Sequence, residues 1–347
     1  MTVAEAGGQK SPGSAAPRLR PARRRAGDSR WADIDGPVHY LDFGGPAGGP
    51  VLVCVHGLDG SAANWAAIAP LLTSRFRVLA PDLAGHGLTR SAGRSSSVPA
   101  NQALLHRFIE AQPGAPVLLM GNSMGGMISL LEAAASPGAV AGLILVDPAL
   151  PFAPAWPDPA VAGLFALFAA PGLGQLLMNR RRHQPPEALV ARLLSLCCAD
   201  PARVSPDVVA QHVEVARRRA AFSDAERDVA TALRSVVLTA GYGTGQAYRR
   251  AVGSVGQPVL LLHGDRDRLV PVSVARAAAR AHPAWTLVEL PGVGHVPQLE
   301  APDECERAIT AWLADSGRLA VTAASRPGPV RRWWAKRSPG RAAQPEP

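Results

Sequence analysis

The chain has 347 residues, of which 47% are hydrophobic and 18% are charged, a balance typical of a globular protein with a sizeable core. Its formal net charge of +9 lies at the two ends: residues 1–30 carry +5 and residues 318–347 carry +6, which leaves −2 for residues 31–317. A nearly neutral middle argues against a basic nucleic-acid-binding groove, so no nucleic-acid partner is predicted.

The two ends differ from the middle in composition as well as in charge. Both are rich in Pro, Ala, Gly, Ser and Arg, so residues 1–30 and 318–347 are predicted to be disordered basic tails. The N-terminal arginines precede no continuous apolar segment, and no signal peptide is predicted. A weak contact of the tails with an anionic membrane surface stays open.

Cysteine and lysine usage indicates where the protein works. The four cysteines lack C-x-x-C spacing, which suits reduced thiols better than a disulfide framework. Two lysines against 34 arginines are typical of a GC-rich bacterial genome. We therefore expect a bacterial, cytoplasmic protein, and the sequence does not predict its oligomeric state.

Predicted strands follow one another from residue 30 onwards. Residues 30–45 alternate apolar and polar side chains around Asp35-Gly36, which predicts a β-hairpin. Six short apolar runs follow, at 51–57, 76–82, 116–122, 142–148, 258–265 and 285–292. Helical patterns separate them, at 62–72, 101–111, 124–135, 272–281 and 302–314. Runs without polar alternation are typical of parallel strands covered on both faces. The sequence therefore predicts an α/β fold, a mostly parallel eight-stranded sheet covered by helices on both faces and built from residues 31–148 and 251–317.

Residues 149–250 interrupt this alternation of strands and helices. They are helical in composition and contain no convincing strand, so we predict an inserted helical cap over the carboxyl edge of the sheet. Residues 159–178 carry no charge and are long enough to make a membrane-spanning helix conceivable. Glycines and a proline interrupt this stretch, which favours a buried or surface-facing apolar helical pair.

The stretch GNSMG at 121–125 lies where a predicted strand meets a predicted helix. It fits the pattern G-x-S-x-G, in which the serine occupies a sharp, strained turn and the glycines avoid collisions with the neighbouring backbone. The pattern holds the Ser123 hydroxyl clear of the sheet, and the backbone N–H of Met124 faces the same space at a helix N-terminus. On its own, the pattern also fits a glycine-rich turn without chemistry.

A serine hydroxyl needs a base to activate it, and the base needs an acid to orient it. His295 lies in a loop after the last predicted strand, and Asp265 and Asp267 follow the strand at 258–265. All of them lie at carboxyl ends of strands, the edge that also holds Ser123, in the chain order nucleophile, acid, histidine. Other histidines are less favoured because they lie in the insertion or inside predicted strands and helices: His39, His106, His183 and His212.

Over residues 31–317 the sequence resembles the α/β-hydrolase family on several motifs in register. HGLDGSAANW (56–65) is similar to the family's oxyanion loop, PDLAGHGLT (81–89) to its Asp-x-x-Gly-x-Gly turn, and GVGHVPQLE (292–300) to its catalytic histidine loop. The resemblance implies that the acid is Asp267, with Asp265 as the fallback. It also implies that the backbone N–H of Leu58 stabilises an oxyanion beside that of Met124.

The predicted reaction is acyl transfer, in which His295 takes the proton of Ser123, Ser123 attacks a carbonyl and water releases the acyl group. No cluster of His, Cys and acidic residues has the spacing of metal ligands, so neither a metal nor a cofactor is predicted. We expect a serine hydrolase, carboxylesterase or lipase-like, acting on an apolar small ester or a lipid. Apolar side chains of the predicted cap would form a roof over the site and favour such substrates. These side chains are Leu164, Phe165, Leu167 and Phe168.

Three alternatives stay open. GNSMGG is also found in hydrolases that split C–C bonds of ring-cleavage diketones, although the oxyanion loop and Val296 after His295 depart from those enzymes. A non-catalytic protein of the same fold would bind a small apolar ligand. Transfer of the acyl group to an acceptor other than water would use the same serine and histidine.

Two other classes of the family are not favoured. Haloalkane dehalogenases and epoxide hydrolases carry an aspartate at the position of Ser123, so the serine argues against both.

Overall fold

The architecture is that of a computed structural model of the chain. It describes residues 27–112, 116–151, 183–241 and 245–315, together with six single positions between 159 and 181. Residues 1–26 and 316–347 lie outside the described residues, and they include most of the predicted N-terminal tail and all of the predicted C-terminal tail.

Eight strands form one sheet, in the order β1-β2-β4-β3-β5-β6-β7-β8. From β1 to β8 they span Asp28–Asp33, Pro37–Gly44, Val51–Val55, Arg77–Pro81, Val117–Asn122, Val140–Val146, Val259–Gly264 and Thr286–Leu290. β2 is antiparallel to β1 and to β4, and the other neighbouring pairs are parallel. The predicted mostly parallel eight-stranded sheet is confirmed, including the first hairpin, which pairs Asp33 with Pro37 across its turn.

Helices connect the strands and flank the sheet. From α1 to α10 they span Ala69–Leu72, Val98–Glu110, Met124–Ala135, Pro186–Cys197, Pro206–Arg219, Ala225–Ala240, Gln246–Gly253, Val272–Ala281, Pro297–Glu300 and Pro302–Asp315. Two short 3-10 helices cover Ala62–Trp65 and Pro201–Arg203.

Both faces of the sheet are buried against helices. In β3 the side chains of Val51, Val53 and Val55 join one apolar cluster, and Leu52 and Cys54 join the cluster on the other face. The strands of the middle therefore lack polar alternation because neither face meets water. This double burial fixes the sheet as a rigid base whose carboxyl edge carries the loops discussed below.

Two predicted boundaries need correction. The predicted helix over 62–72 is two short pieces, because Pro70 has no N–H to donate to the carbonyl of residue 66 and so cannot continue a helix that began at Ala62. The predicted N-terminal tail reaches residue 30, whereas Asp28–Arg30 are already paired in β1.

Of the helices given above, those that lie in the chain between β6 and β7 are α4, α5, α6 and α7, called here the inserted helices. The first three fall within residues 149–250, the segment predicted as a helical cap, and α7 runs three residues beyond its predicted end. Among the described residues no helix is both long and apolar enough to cross a membrane, and most of the uncharged stretch at 159–178 lies outside that part of the chain.

Candidate active site

Ser123 occupies the corner between β5 and α3, in a strained backbone conformation. Its φ of 54° lies in the left-handed region that residues other than glycine rarely adopt. The corner closes because a Cβ on Gly121 would collide with the Gly125 carbonyl, and one on Gly125 would collide with the Val55 carbonyl of β3. Only glycine allows the helix to approach the sheet so closely, so the strain at Ser123 is set by its neighbours.

His295 and Asp267 form a short, buried hydrogen bond. His295 Nδ1 lies 2.6 Å from Asp267 Oδ2, and both side chains are almost completely excluded from solvent. An ionised carboxylate only accepts, so Nδ1 carries the proton and Nε2 is left with its lone pair free to accept one. This is the tautomer that a general base requires.

Asp267 is held as a carboxylate by several donors. Besides His295, the backbone N–H groups of Leu269 and Val270 donate to its Oδ1 at 2.7 and 3.0 Å. Burial raises the pKa of Asp267, but the charge and the hydrogen bond of His295 outweigh burial and leave that pKa below its ordinary value. The fallback Asp265 instead accepts the N–H of Gly292 at 2.7 Å, so Asp267 is the carboxylate that His295 contacts.

A second buried carboxyl group, Asp147, lies beside this pair and was missed by the sequence analysis. Asp147 directly follows β6 with φ 43°, and its Oδ1 accepts the N–H of Gly264 at 3.0 Å. Burial and then the neighbouring charge of Asp267 raise the pKa of Asp147 well above its ordinary value. A protonated Asp147 can donate to Asp267, which an ionised one could not. The sequence signal that could have identified Asp147 is its position directly after an apolar strand, at the edge of the sheet that holds Ser123.

A buried histidine, His263, adjoins both carboxyl groups. Its Nε2 lies 2.8 Å from the carbonyl of Val270, 3.4 Å from Asp147 Oδ1 and 3.6 Å from Asp267 Oδ2. Burial lowers the pKa of His263, which favours a neutral ring that donates from Nε2 to that carbonyl. His263 therefore supports the loop that holds Asp267 without adding a charge to the site.

The loop that carries His295 is tied to the elbow and to the inserted helices. The side-chain amide of Asn122 donates to the carbonyl of His295 at 3.0 Å, and His295 N–H donates to the carbonyl of Cys197 at the end of α4 at 2.6 Å. The buried Glu300 accepts the N–H groups of Gly294 and, from the chain after α4, of Ala199 and Asp200. The position of His295 thus depends on the inserted helices as well as on the sheet.

A cavity of about 210 Å³ lies over Ser123 and His295. Leu58 and Met124 also line it, and within the described chain the backbone N–H of neither residue donates to a protein acceptor. Most of the remaining wall is apolar, and α4 and α6 contribute these members: Leu193, Leu196, Cys197, Val229, Leu233, Val236 and Val237.

Of the four roof residues predicted from sequence, the structure describes Leu167 alone. Leu167 is 39% exposed, and Leu164, Phe165 and Phe168 lie outside the described residues. One charged pair does reach the cavity: Arg181 Nη2 donates to Asp59 Oδ2 at 2.5 Å. The two opposite charges offset each other, so the wall stays apolar in effect.

One group of described residues could offer metal ligands within 4.8 Å of one another: Asp147, Asp267 and His295. The ligand atoms facing each other are already engaged, because His295 Nδ1 bonds to Asp267 and Asp147 Oδ1 accepts the N–H of Gly264. The donor set therefore fits a proton relay better than a cation site.

The sequence of the chain matches a family model and a curated protein. The model of the alpha/beta hydrolase family matches residues 52–308. The magnesium-chelatase 30 kDa subunit of Rhodobacter capsulatus is 30% identical over 301 residues, which cover 85% of this chain and 95% of that protein.

The chain is also similar to an esterase and to a protein of known structure. The pimeloyl-[acyl-carrier protein] methyl ester esterase of Aromatoleum aromaticum is 29% identical over 260 residues, covering 74% of this chain and 95% of the esterase. Among solved structures, Cfl2 from Burkholderia cenocepacia superposes with a TM-score of 0.70 at 23% identity, covering 85% of this chain and 98% of Cfl2. The second match supports the fold alone.

Proposed function

We propose that this chain, which belongs to the alpha/beta hydrolase family, is a serine hydrolase that cleaves carboxylic esters of apolar small molecules or lipids through an acyl-enzyme. The observation that carries the proposal is the convergence of three strand ends on one cavity. Ser123 and His295 both line it, and Asp267 holds His295 from behind the wall through a 2.6 Å hydrogen bond.

The reaction divides into acylation and deacylation. His295 Nε2 takes the proton of Ser123 as Oγ attacks the ester carbonyl, and Asp267 stabilises the imidazolium that forms. The same proton passes to the leaving alcohol. In the second half His295 activates a water molecule, which attacks the acyl carbon and releases the acid and the free serine.

The carbonyl oxygen becomes negative in both halves and needs hydrogen-bond donors. The N–H groups of Leu58 and Met124 are available, since neither is used within the described chain and both residues line the cavity. Loss of one such donor typically slows an acyl transfer about 100- to 1000-fold. These two backbone groups are the proposed oxyanion hole.

The wall of the cavity supports an apolar acyl or alkyl group. Many of its aliphatic side chains come from α4 and α6, and Arg181 and Asp59, which also line it, form an ion pair with each other. Burial of a chain of CH₂ groups gives about 0.8 kcal/mol each, so affinity should rise with chain length until the cavity is filled. The esterase found among the relatives acts on a methyl ester by its name, which agrees with this reaction class.

The test is hydrolysis of p-nitrophenyl esters with acyl chains of two to sixteen carbons by wild type and Ser123→Ala. Wild type should release p-nitrophenol in a burst followed by steady turnover, and the variant should lose at least about 10⁴-fold in kcat. Ser254→Ala, which removes an exposed serine hydroxyl on the surface, is the matched control and should leave the rate unchanged. Turnover by Ser123→Ala at the wild-type rate would overturn the proposal.

A further inference from the structure

Another serine, histidine and aspartate form a hydrogen-bonded chain far along the sheet from Ser123, in the first hairpin and the end of β4. Ser29 Oγ lies 2.8 Å from His39 Nε2, and His39 Nδ1 lies 2.6 Å from Asp82 Oδ2. His39 lies inside β2, as its sequence pattern predicts. The structure makes it the centre of a continuous relay.

The protons of this relay are fixed by its buried end. Asp82 is 1% exposed and accepts the N–H groups of Ala62 and Leu88 at 2.6 and 2.7 Å. Burial raises the pKa of Asp82, but the hydrogen bond and charge of His39 outweigh burial and keep it below its ordinary value. Because the carboxylate only accepts, His39 carries its proton on Nδ1, and Nε2 must accept from the Ser29 hydroxyl.

The exposed end of the relay opens on a cavity. Ser29 is exposed on the edge strand β1, and a cavity of about 210 Å³ lies between the hairpin, the 3-10 helix Ala62–Trp65 and α5. Asp82 directly follows β4, so this cavity lies at the carboxyl edge of the sheet, where ligands of open α/β sheets bind. Arg218 also lines it, and its Nε donates to Glu214 on the same helix at 3.1 Å.

We propose that Ser29 is a second nucleophile, activated by His39 and Asp82, that accepts the acyl group of small activated esters. The relay supplies what a serine needs, a base within hydrogen-bond reach that is oriented by a third group. The Ser29 proton moves to His39 Nε2 as Oγ bonds to the carbonyl carbon. The bond from that carbon to the leaving alcohol breaks, and the alcohol leaves with the proton from His39. The products are an acyl-Ser29 ester and the free alcohol.

The test uses an alkyl fluorophosphonate, which reacts with activated serines by forming a P–O bond and releasing HF. Intact mass after incubation should show two adducts on wild type, one on Ser123→Ala, one on Ser29→Ala and none on the double variant. Peptide mapping of labelled Ser123→Ala should place its adduct at Ser29. Ser254→Ala in the Ser123→Ala background is the matched control, because that serine is exposed but bonds to a backbone carbonyl instead of a histidine.

His39→Gln in the Ser123→Ala background separates an activated serine from a merely accessible one. Removal of the base should slow labelling at Ser29 about 100-fold or more, whereas a passive hydroxyl would be unaffected. Circular dichroism checks that this variant folds, and Ser29→Ala, an exposed change, gives an independent loss of label. An unlabelled Ser123→Ala, or a label at another residue, would overturn the proposal. An adduct at Ser29 with none at Ser123 in wild type would support Ser29 and count against the proposed hydrolase site, so the two outcomes are distinguishable.

Discussion

Asp265 and Asp267 lie two residues apart at the end of β7 and differ in what they bond. Asp267 orients His295, whereas Asp265 accepts the N–H of Gly292 in the adjoining loop. Asp267→Asn should lower kcat for ester hydrolysis about 10³- to 10⁴-fold, because an amide at this position favours the wrong histidine tautomer. Asp265→Asn is the matched control and should change kcat by no more than about twofold. Equal losses in both variants would contradict the assignment of the acid.

Asp147 offers a sharper test of how the acid pair is charged. An asparagine keeps the acceptor for Gly264, gives Asp267 a permanent N–H donor and tolerates the positive φ of this position. Asp147→Asn should therefore keep kcat close to wild type. Asp147→Ala loses both hydrogen bonds and should lower the free energy of unfolding by about 1–3 kcal/mol.

The pH dependence of Asp147→Asn follows from the direction of the pKa shift. The folded wild type retains a proton on Asp147 that the unfolded chain releases above about pH 4. Wild type therefore loses stability as the pH rises from that value through the raised pKa, and the asparagine variant lacks this loss. Urea unfolding between pH 4 and 8 should show the variant gaining relative stability with pH. A relative loss with pH would mean that Asp147 is ionised in the folded protein.

At the scale of elements, the loop that follows α4 and the loop that carries His295 are joined by one buried carboxylate. Glu300 accepts three backbone N–H groups, which an amide could not, since its nitrogen would face a donor. Glu300→Gln should lower the free energy of unfolding by about 1–3 kcal/mol and reduce kcat, because His295 moves with its loop. Glu110→Gln, at an exposed ion pair with His106, is the control and should change stability by less than about 1 kcal/mol. An unchanged kcat at Glu300→Gln would show that the tie does not position His295.

The strands and most helices could be predicted from the sequence because their signals are local. Apolar runs mark β3 to β8, and the helix predicted at 124–135 has the bounds Met124–Ala135. The break before Pro70 is also a local signal, because proline lacks the N–H that a continuing helix would need. The role of Glu300 could not be predicted in this way, because two of its three partners, Ala199 and Asp200, lie about a hundred residues earlier in the chain.

At the scale of the whole molecule, the strand order predicts which residues meet at the candidate site, whereas side-chain packing determines its buried contacts and its wall. Parallel strands bring Ser123, Asp267 and His295 to one edge, so their meeting followed from the order of strands and loops. Asp147 was missed because Asp267 lies about 120 residues later in the chain, beyond the inserted helices, and the two carboxyl groups meet only through the packing of β6 beside β7. The wall of the cavity depends on how the inserted helices pack, and the apolar pattern selected residues other than those of α4 and α6.

That wall is expected to set the length of the preferred substrate. Val236 and Leu238 lie on the same helix, α6, but Val236 lines the cavity over Ser123 whereas Leu238 is 61% exposed. Val236→Phe should fill part of the 210 Å³ and lower kcat/KM for the longest ester by at least about tenfold relative to the acetate. Leu238→Phe adds a ring on the same helix outside the cavity and should leave the ratio unchanged. Parallel shifts in both variants would mean that α6 affects activity through folding alone, and no shift in either would mean that the acyl chain binds elsewhere.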